Sequence, residues 1–244
     1  MATLDPRSRR AYLDEAELAA AVLLLVAPED PTLEGEDARE AVARLVDAGG
    51  VRDGKLEAWL VELVAPIARP ELRALAESHS GGQLWVVASA WMAAPGGTLG
   101  TLAEGSKSEL APLDPALLPS ALAREVGLAP RSVPGSREPL LACISDVEQA
   151  ERERGHDPLG RLMAQRRCSW RVTVTNVVET RSLAVVDGGP QGYWLCELAD
   201  AELEQVRLVP AASDEVASRL LALFAPTVGH SVVTELTARV SRSP

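Results

Sequence analysis

The spacing of apolar residues changes near residue 68, from a three-to-four-residue period to an alternation, and that change sets the predicted architecture. Leu18, Val22 and Leu25 recur at i, i+4 and i+7, which predicts an amphipathic helix. Asp14 can accept an N-terminal amide hydrogen bond while Glu17 reaches back, and Pro28 ends the helix. A second helix, over about 37–48, places Ala38, Val42 and Leu45 on one face, with Gly49 as its left-handed stop. A third runs from near Asp53 to Ala65, turns Leu56, Leu60, Leu63 and Val64 inward, and closes at Pro66.

Beyond residue 68, PELRALAES and QLWVVASAWMAA predict strands. The second is apolar on both faces, Leu84, Val86, Ala88 and Met92 against Trp85, Val87 and Trp91, the pattern of a sheet's buried middle. A turn at Pro95, Gly96 and Gly97 leads to two short strands, TLGTLAEG and SELAPL. Residues 114–126 are predicted helical, opened by Asp114 and Pro115, kinked or restarted at Pro119 and stopped at Gly127. Three prolines and two glycines in GLAPRSVPGSREP (127–139) mark an internal linker, followed by short helices over about 139–152 and 157–166.

In WRVTVTNVV the apolar Trp170, Val172, Val174 and Val178 alternate with Arg171, Thr173 and Thr175, a half-buried strand. SLAVVDGGPQGYWLCEL adds two strands and EQVRLVP a fourth. Ser213 caps a last helix with Val216, Leu220, Leu223 and Phe224 inward and Asp214 and Glu215 at its positive end.

The halves repeat weakly. ELAPLDPALLPSALAREVG and VRLVPAASDEVASRLLALF each read as a strand ending in L-x-P, a polar cap and an amphipathic helix. The expected fold is therefore α/β (α+β): two quasi-repeated βββα halves around a mainly antiparallel sheet, with N-terminal helices and a mid-chain helical segment. One domain spans 1–244, with N-terminal helices (1–68), a first half (69–127), linker and helices (128–168), a second half (169–226) and a tail (227–244).

Charge narrows the function classes. A net charge of −11 and a pI near 4.9 disfavour phosphate backbones and anionic lipid surfaces, which need clustered Lys and Arg. RSRR (7–10), ERER (151–154) and QRR (165–167) are too small and mixed to change this. The apolar run Ala19–Ala27 is too short to cross a membrane, and acids at 14, 15 and 17 interrupt a signal-peptide reading. Three widely spaced cysteines, Cys143, Cys168 and Cys196, match no disulfide or zinc framework and suit a reducing cytoplasm.

Candidate chemistry is thin. DGGPQG has neither phosphate-loop pattern and is followed by a strand; Asp187, Gly188 and Gly189 suit the positive φ of a hairpin turn. His79, His156 and His230 sit apart in polar segments, without G-x-S-x-G or H-x-x-x-H. A small-molecule enzyme would need a cleft gathering His156, Asp157 and a cysteine. Helices two and three, joined by DAGGVRDG, suggest helix-turn-helix DNA binding, but Lys55 is outweighed by Glu57 and Glu62. Five of the eight aromatic residues are Trp. Most are expected in the core, and any left on an uncovered sheet face would form a docking patch.

The segments ARLVDAGGVRDGKLEAWLVELVAPIARPELRALA (43–76), QLWVVASAWMAA, ELAPLDPALLPSALAREVGLAPRSVP and WRVTVTNVV through LVPAASDEVASRLLALF, in that order, resemble the EspG family of ESX (type VII) secretion-associated proteins of actinobacteria. The resemblance spans about residues 14–224 and implies a non-enzymatic cytosolic chaperone that shields the apolar tip of a PE/PPE-like helical pair before export. The chain departs from the family pattern in a short turn at 94–99, in GPQGYWLCEL and in the tail after Phe224. The expected contacts are Trp91, Met92, Pro95, Gly96, Gly97, Leu162 and Met163, with no catalytic residue, cofactor, metal, nucleic acid or membrane, and with a homodimer left open. The alternative is a transcriptional regulator or DNA-associated module using the N-terminal helices.

Overall fold

A computed structural model describes residues 2–80, 83–94, 96–103, 107–131, 138–153 and 155–225. Pro95, residues 132–137 of the expected linker and the expected tail lie outside the described residues. Eleven strands form one antiparallel sheet in the order β1-β2-β8-β7-β6-β5-β10-β11-β12-β13-β9. They are β1 (Thr3–Asp5), β2 (Arg10–Leu13), β5 (Leu72–Ser80), β6 (Gln83–Ala93), β7 (Gly96–Leu102), β8 (Ser108–Leu113), β9 (Leu140–Cys143), β10 (Cys168–Asn176), β11 (Thr180–Asp187), β12 (Tyr193–Asp200) and β13 (Gln205–Ala211). A hairpin of β3 (Val51–Arg52) and β4 (Lys55–Leu56) stands apart. The helices are α1 (Glu15–Val26), α2 (Glu36–Asp47), α3 (Ala58–Ala68), α4 (Leu118–Glu125), α5 (Ile144–Glu153), α6 (Pro158–Gln165) and α7 (Ser213–Ala222).

The repeat is present, with the four strands per half that the strand-by-strand reading names, one more than the βββα unit holds. β5–β8 form a meander leading into α4, β10–β13 form another leading into α7, and the two join where β5 pairs with β10. α4 and α7 pack together on one sheet face, burying Leu118, Leu122, Val126, Val216 and Leu220 against Trp170, Val172, Val174, Tyr193 and Leu195. Among the described residues the opposite face is covered only at its ends. At one end α1–α3 close over Leu13, Leu110 and Trp91; at the other α5 and α6 cover Val186, Trp194 and Leu208.

Several local expectations hold. Asp14 and Glu17 form the capping box of α1: Glu17 N–H donates to Asp14 Oδ1 at 2.8 Å and Asp14 N–H to Glu17 Oε2 at 3.0 Å. Gly49 and Gly127 take positive φ, 77° and 71°, at helix ends. Pro119 restarts the helix, since a 3₁₀ turn over Pro115–Leu117 precedes α4.

Others are corrected. α1 fully buries Glu17, Ala20 and Ala21, whereas Leu18, Val22 and Leu25 are half-buried, because small residues allow its close approach to α2 and α3. Pro66 lies inside α3, which continues to Ala68; its missing N–H falls in the last turn. DAGGVRDG folds as the β3–β4 hairpin, with Asp53 and Gly54 at φ 50° and 72°, in place of a helix-turn-helix turn.

The hairpin read in DGGPQG is real, joining β11 to β12, but Gly189 and Gly192 carry the positive φ, while Gly188 is at −75°. Residues 140–143 form β9 and not helix. Val178 lies beyond β10 and is 53% exposed. The cap of α7 is Ala212; Ser213 Oγ is occupied with the segment after α4, accepting from Arg131 N–H at 2.6 Å. β6 is a buried-middle strand only in its second half: Leu84, Trp85 and Val86 are 62%, 49% and 43% exposed.

Candidate functional site

The exposed half of β6 opens onto an apolar groove. Strand register sets its floor. One row aligns Leu84, His79, Ser169, Val186 and Trp194 across five strands; the next aligns Val86, Glu77, Arg171, Ala184, Cys196 and Leu208. Alternation puts both rows on the face between the two helical covers, opposite α4 and α7. Ile144 and Val147 of α5 and Met163 of α6 supply a wall, enclosing ≈ 480 Å³. Ile144 is 41% exposed, so rim and wall both offer hydrocarbon to a partner.

The charged groups on this floor satisfy each other. Arg171 Nε and Nη2 donate to Glu77 Oε2 at 2.9 and 2.7 Å across the β5–β10 junction. Burial pushes the Cys196 thiol up to about 11, so it stays protonated at neutral pH and packs as a small hydrophobe. Burial first, then the Asp187 charge, also raises Cys168. No three His, Cys, Asp or Glu side chains gather as a metal site among the described residues. His156 and Asp157 line a separate groove of ≈ 550 Å³ that no cysteine lines, and Asp157 is the cap of α6, accepting from Gly160 N–H at 2.8 Å. Among described helices, none is long and apolar enough to cross a membrane.

The sequence-predicted contacts are dispersed. Leu162 and Met163 are buried under α6, and of the two Met163 also reaches the groove wall. Met92 packs in the core under α4, while Trp91, on the other face, packs against the α1–α3 cover. Gly96 and Gly97 lie in β7 and line a groove of ≈ 660 Å³ with Trp59, Pro66 and Pro112. Pro95 lies outside the described residues. Sequence reasoning missed Leu84, Val86, Ile144 and Val147, whose only signal was apolar character, which core positions share.

No family profile matches the chain, and no curated protein matches it. Among solved structures the chain is similar to the Mycobacterium tuberculosis type VII secretion system chaperone EspG5, determined in complex with the PE25–PPE41 dimer. The TM-score is 0.58 at 11% sequence identity, covering 88% of this chain and 95% of that chain. The agreement extends over nearly the whole of both chains. The chain thus has the fold of EspG5, the fold that its sequence resemblance implied.

Proposed function

We propose that this protein is a non-enzymatic chaperone of the cytosol that holds the apolar tip of a PE/PPE-like helical pair before its export. The observation that carries the reading is the half-covered sheet face: Leu84, Val86 and Ile144 present hydrocarbon around a groove whose charged floor pair is already neutralised. Burying such side chains contributes roughly 25 cal/mol per Å², offset by the ordering costs of association. The fold shared with EspG5 supports the client class. The groove lined by Ala93, Ala94, Gly96 and Gly97 belongs to the proposal as a second contact region, with Trp91 and Met92 packed beneath it on opposite sheet faces.

Co-expression with a PE/PPE-like pair encoded beside this gene tests the reading. The pair should become soluble and co-purify with the wild-type chain and be lost with the Leu84→Glu, Ile144→Glu variant. No co-purification with the wild type, or equal recovery with the variant, would overturn the client or the groove respectively.

A further inference from the structure

Another apolar groove opens where the chain leaves α7. Leu72 of β5, Met92 of β6, Ala94, Leu118 of α4 and Phe224 line it, enclosing ≈ 600 Å³, a size usual for binding pockets. Glu71 is its one charged lining residue among those described, and Ala94 and Ala116 are exposed on its rim. Arg181 fixes where the chain emerges. Its Nη1 donates to the Ala222 and Ala225 carbonyls at 3.3 and 2.9 Å, which caps α7 and holds Ala225 next to Phe224. Pro226 follows, with no N–H to extend the helical bonding. The segment beyond Ala225 reads PTVGHSVVTELTARVSRSP (226–244). Val228, Val232, Leu236 and Val240 recur at every fourth position, a spacing that gathers them on one face of either a helical or an extended backbone. Arg239 and Arg242 stand against Glu235 alone, so the segment is net positive in a chain whose total is −11.

We propose that residues 228–240 dock in this groove of their own chain, with the Val228, Val232, Leu236 and Val240 stripe against its apolar lining and Arg239 toward Glu71. Tethering decides the occupant. Val228 is three residues from Ala225, within about 10 Å even when fully extended, and so short a link holds the stripe at an effective concentration on the order of millimolar. A separate polypeptide matches that only with contacts of its own. Charge favours the same occupant: the lining acid meets a basic segment, whereas a second copy brings a net charge of −11. Ala93 and Ala94 also line the groove beside α3, so the docked segment borders that region, and it shares no lining residue with the groove at Leu84. The docking needs no client.

Backbone hydrogen exchange of the full chain, read beside a synthetic peptide of residues 226–244, tests this. Amides between Val232 and Val240 should exchange roughly tenfold more slowly in the chain than in the peptide, equally at about one and about fifty micromolar. Leu236→Asp, which changes nothing before Ala225, should return them to the peptide rate, and Ala116→Lys, at the groove rim, should speed them several-fold. Val46→Lys, the same charge change at an exposed position of α2, should leave them protected. Exchange at the peptide rate in the wild type would overturn the proposal and leave the groove to a foreign polypeptide. Protection that dilution removes would assign the segment to a second copy, and protection indifferent to Ala116→Lys would place it elsewhere on the chain; each overturns the proposal as well.

Discussion

Arg171 of β10 holds Glu77 of β5 with two donors on one carboxylate oxygen, at 2.9 and 2.7 Å, where the two halves of the sheet meet. The Glu77 side chain is 11% exposed and that of Arg171 54%, so solvent weakens the attraction and the burden falls on the carboxylate. Arg171→Ala should cost about 1 kcal/mol and lower the melting temperature by a few degrees. Replacing both residues with leucine should recover most of it, because the pair neutralises the floor and the strand ladder joins the halves. Thermal melts of the wild type and the two variants check the order.

Asp187 is the more demanding carboxylate. It accepts from Gly189 N–H at 2.9 Å and from Arg131 Nη2 at 3.0 Å, joining the β11–β12 turn to the segment after α4. The bond to Asp187 raises the pKa of the Arg131 guanidinium. Its side chain is 6% exposed, against 23% for Arg131. Asp187→Ala should cost about 2–4 kcal/mol, and Asp187→Asn less because it keeps an acceptor for Gly189. Urea denaturation midpoints should follow that order.

Gly97 faces Met92 across the β6–β7 pair, and a Cβ there would collide with Met92 Sδ and stand 2.9 Å from the Trp91 carbonyl oxygen. Gly97→Val is expected to destabilise by about 2–3 kcal/mol, as overpacking in a filled core does. Met92→Ala should relieve part of that loss. A double-mutant cycle with coupling below a few tenths of a kcal/mol would contradict the contact.

The Cys196 thiol makes stability depend on alkaline pH. Its folded pKa stands near 11 against an ordinary 9.0, so the folded state keeps the proton longer. The contribution is fully present below pH 9 and falls as pH rises through about 11, by about 3 kcal/mol. Wild-type stability should therefore fall more steeply than that of Cys196→Ala over that window. Parallel slopes would contradict the assigned cause.

How far the sequence could be read follows from which signals are local. The capping box at Asp14, the glycine stops at 49 and 127 and the alternation of Trp170, Val172 and Val174 are complete within a few residues, and they hold. The β2 strand RAYL and the β9 strand LLAC are too short to show a period and exist through pairing with β8 and β13. The groove was illegible for a related reason. Leu84 and Val86 share an alternation with Ala88 and Ala90 in the sequence, and the bulge at Val87, which turns the first two to the opposite sheet face, together with the point where β7 leaves β6, separates rim from core.

Backbone hydrogen exchange with and without a PE/PPE-like pair tests the central claim most directly. Bound client should slow exchange at Leu84–Val87 and Ile144–Val147, leaving the amides of α4 and α7 on the opposite face unchanged. Protection confined to that opposite face, or none at saturating client, would contradict it.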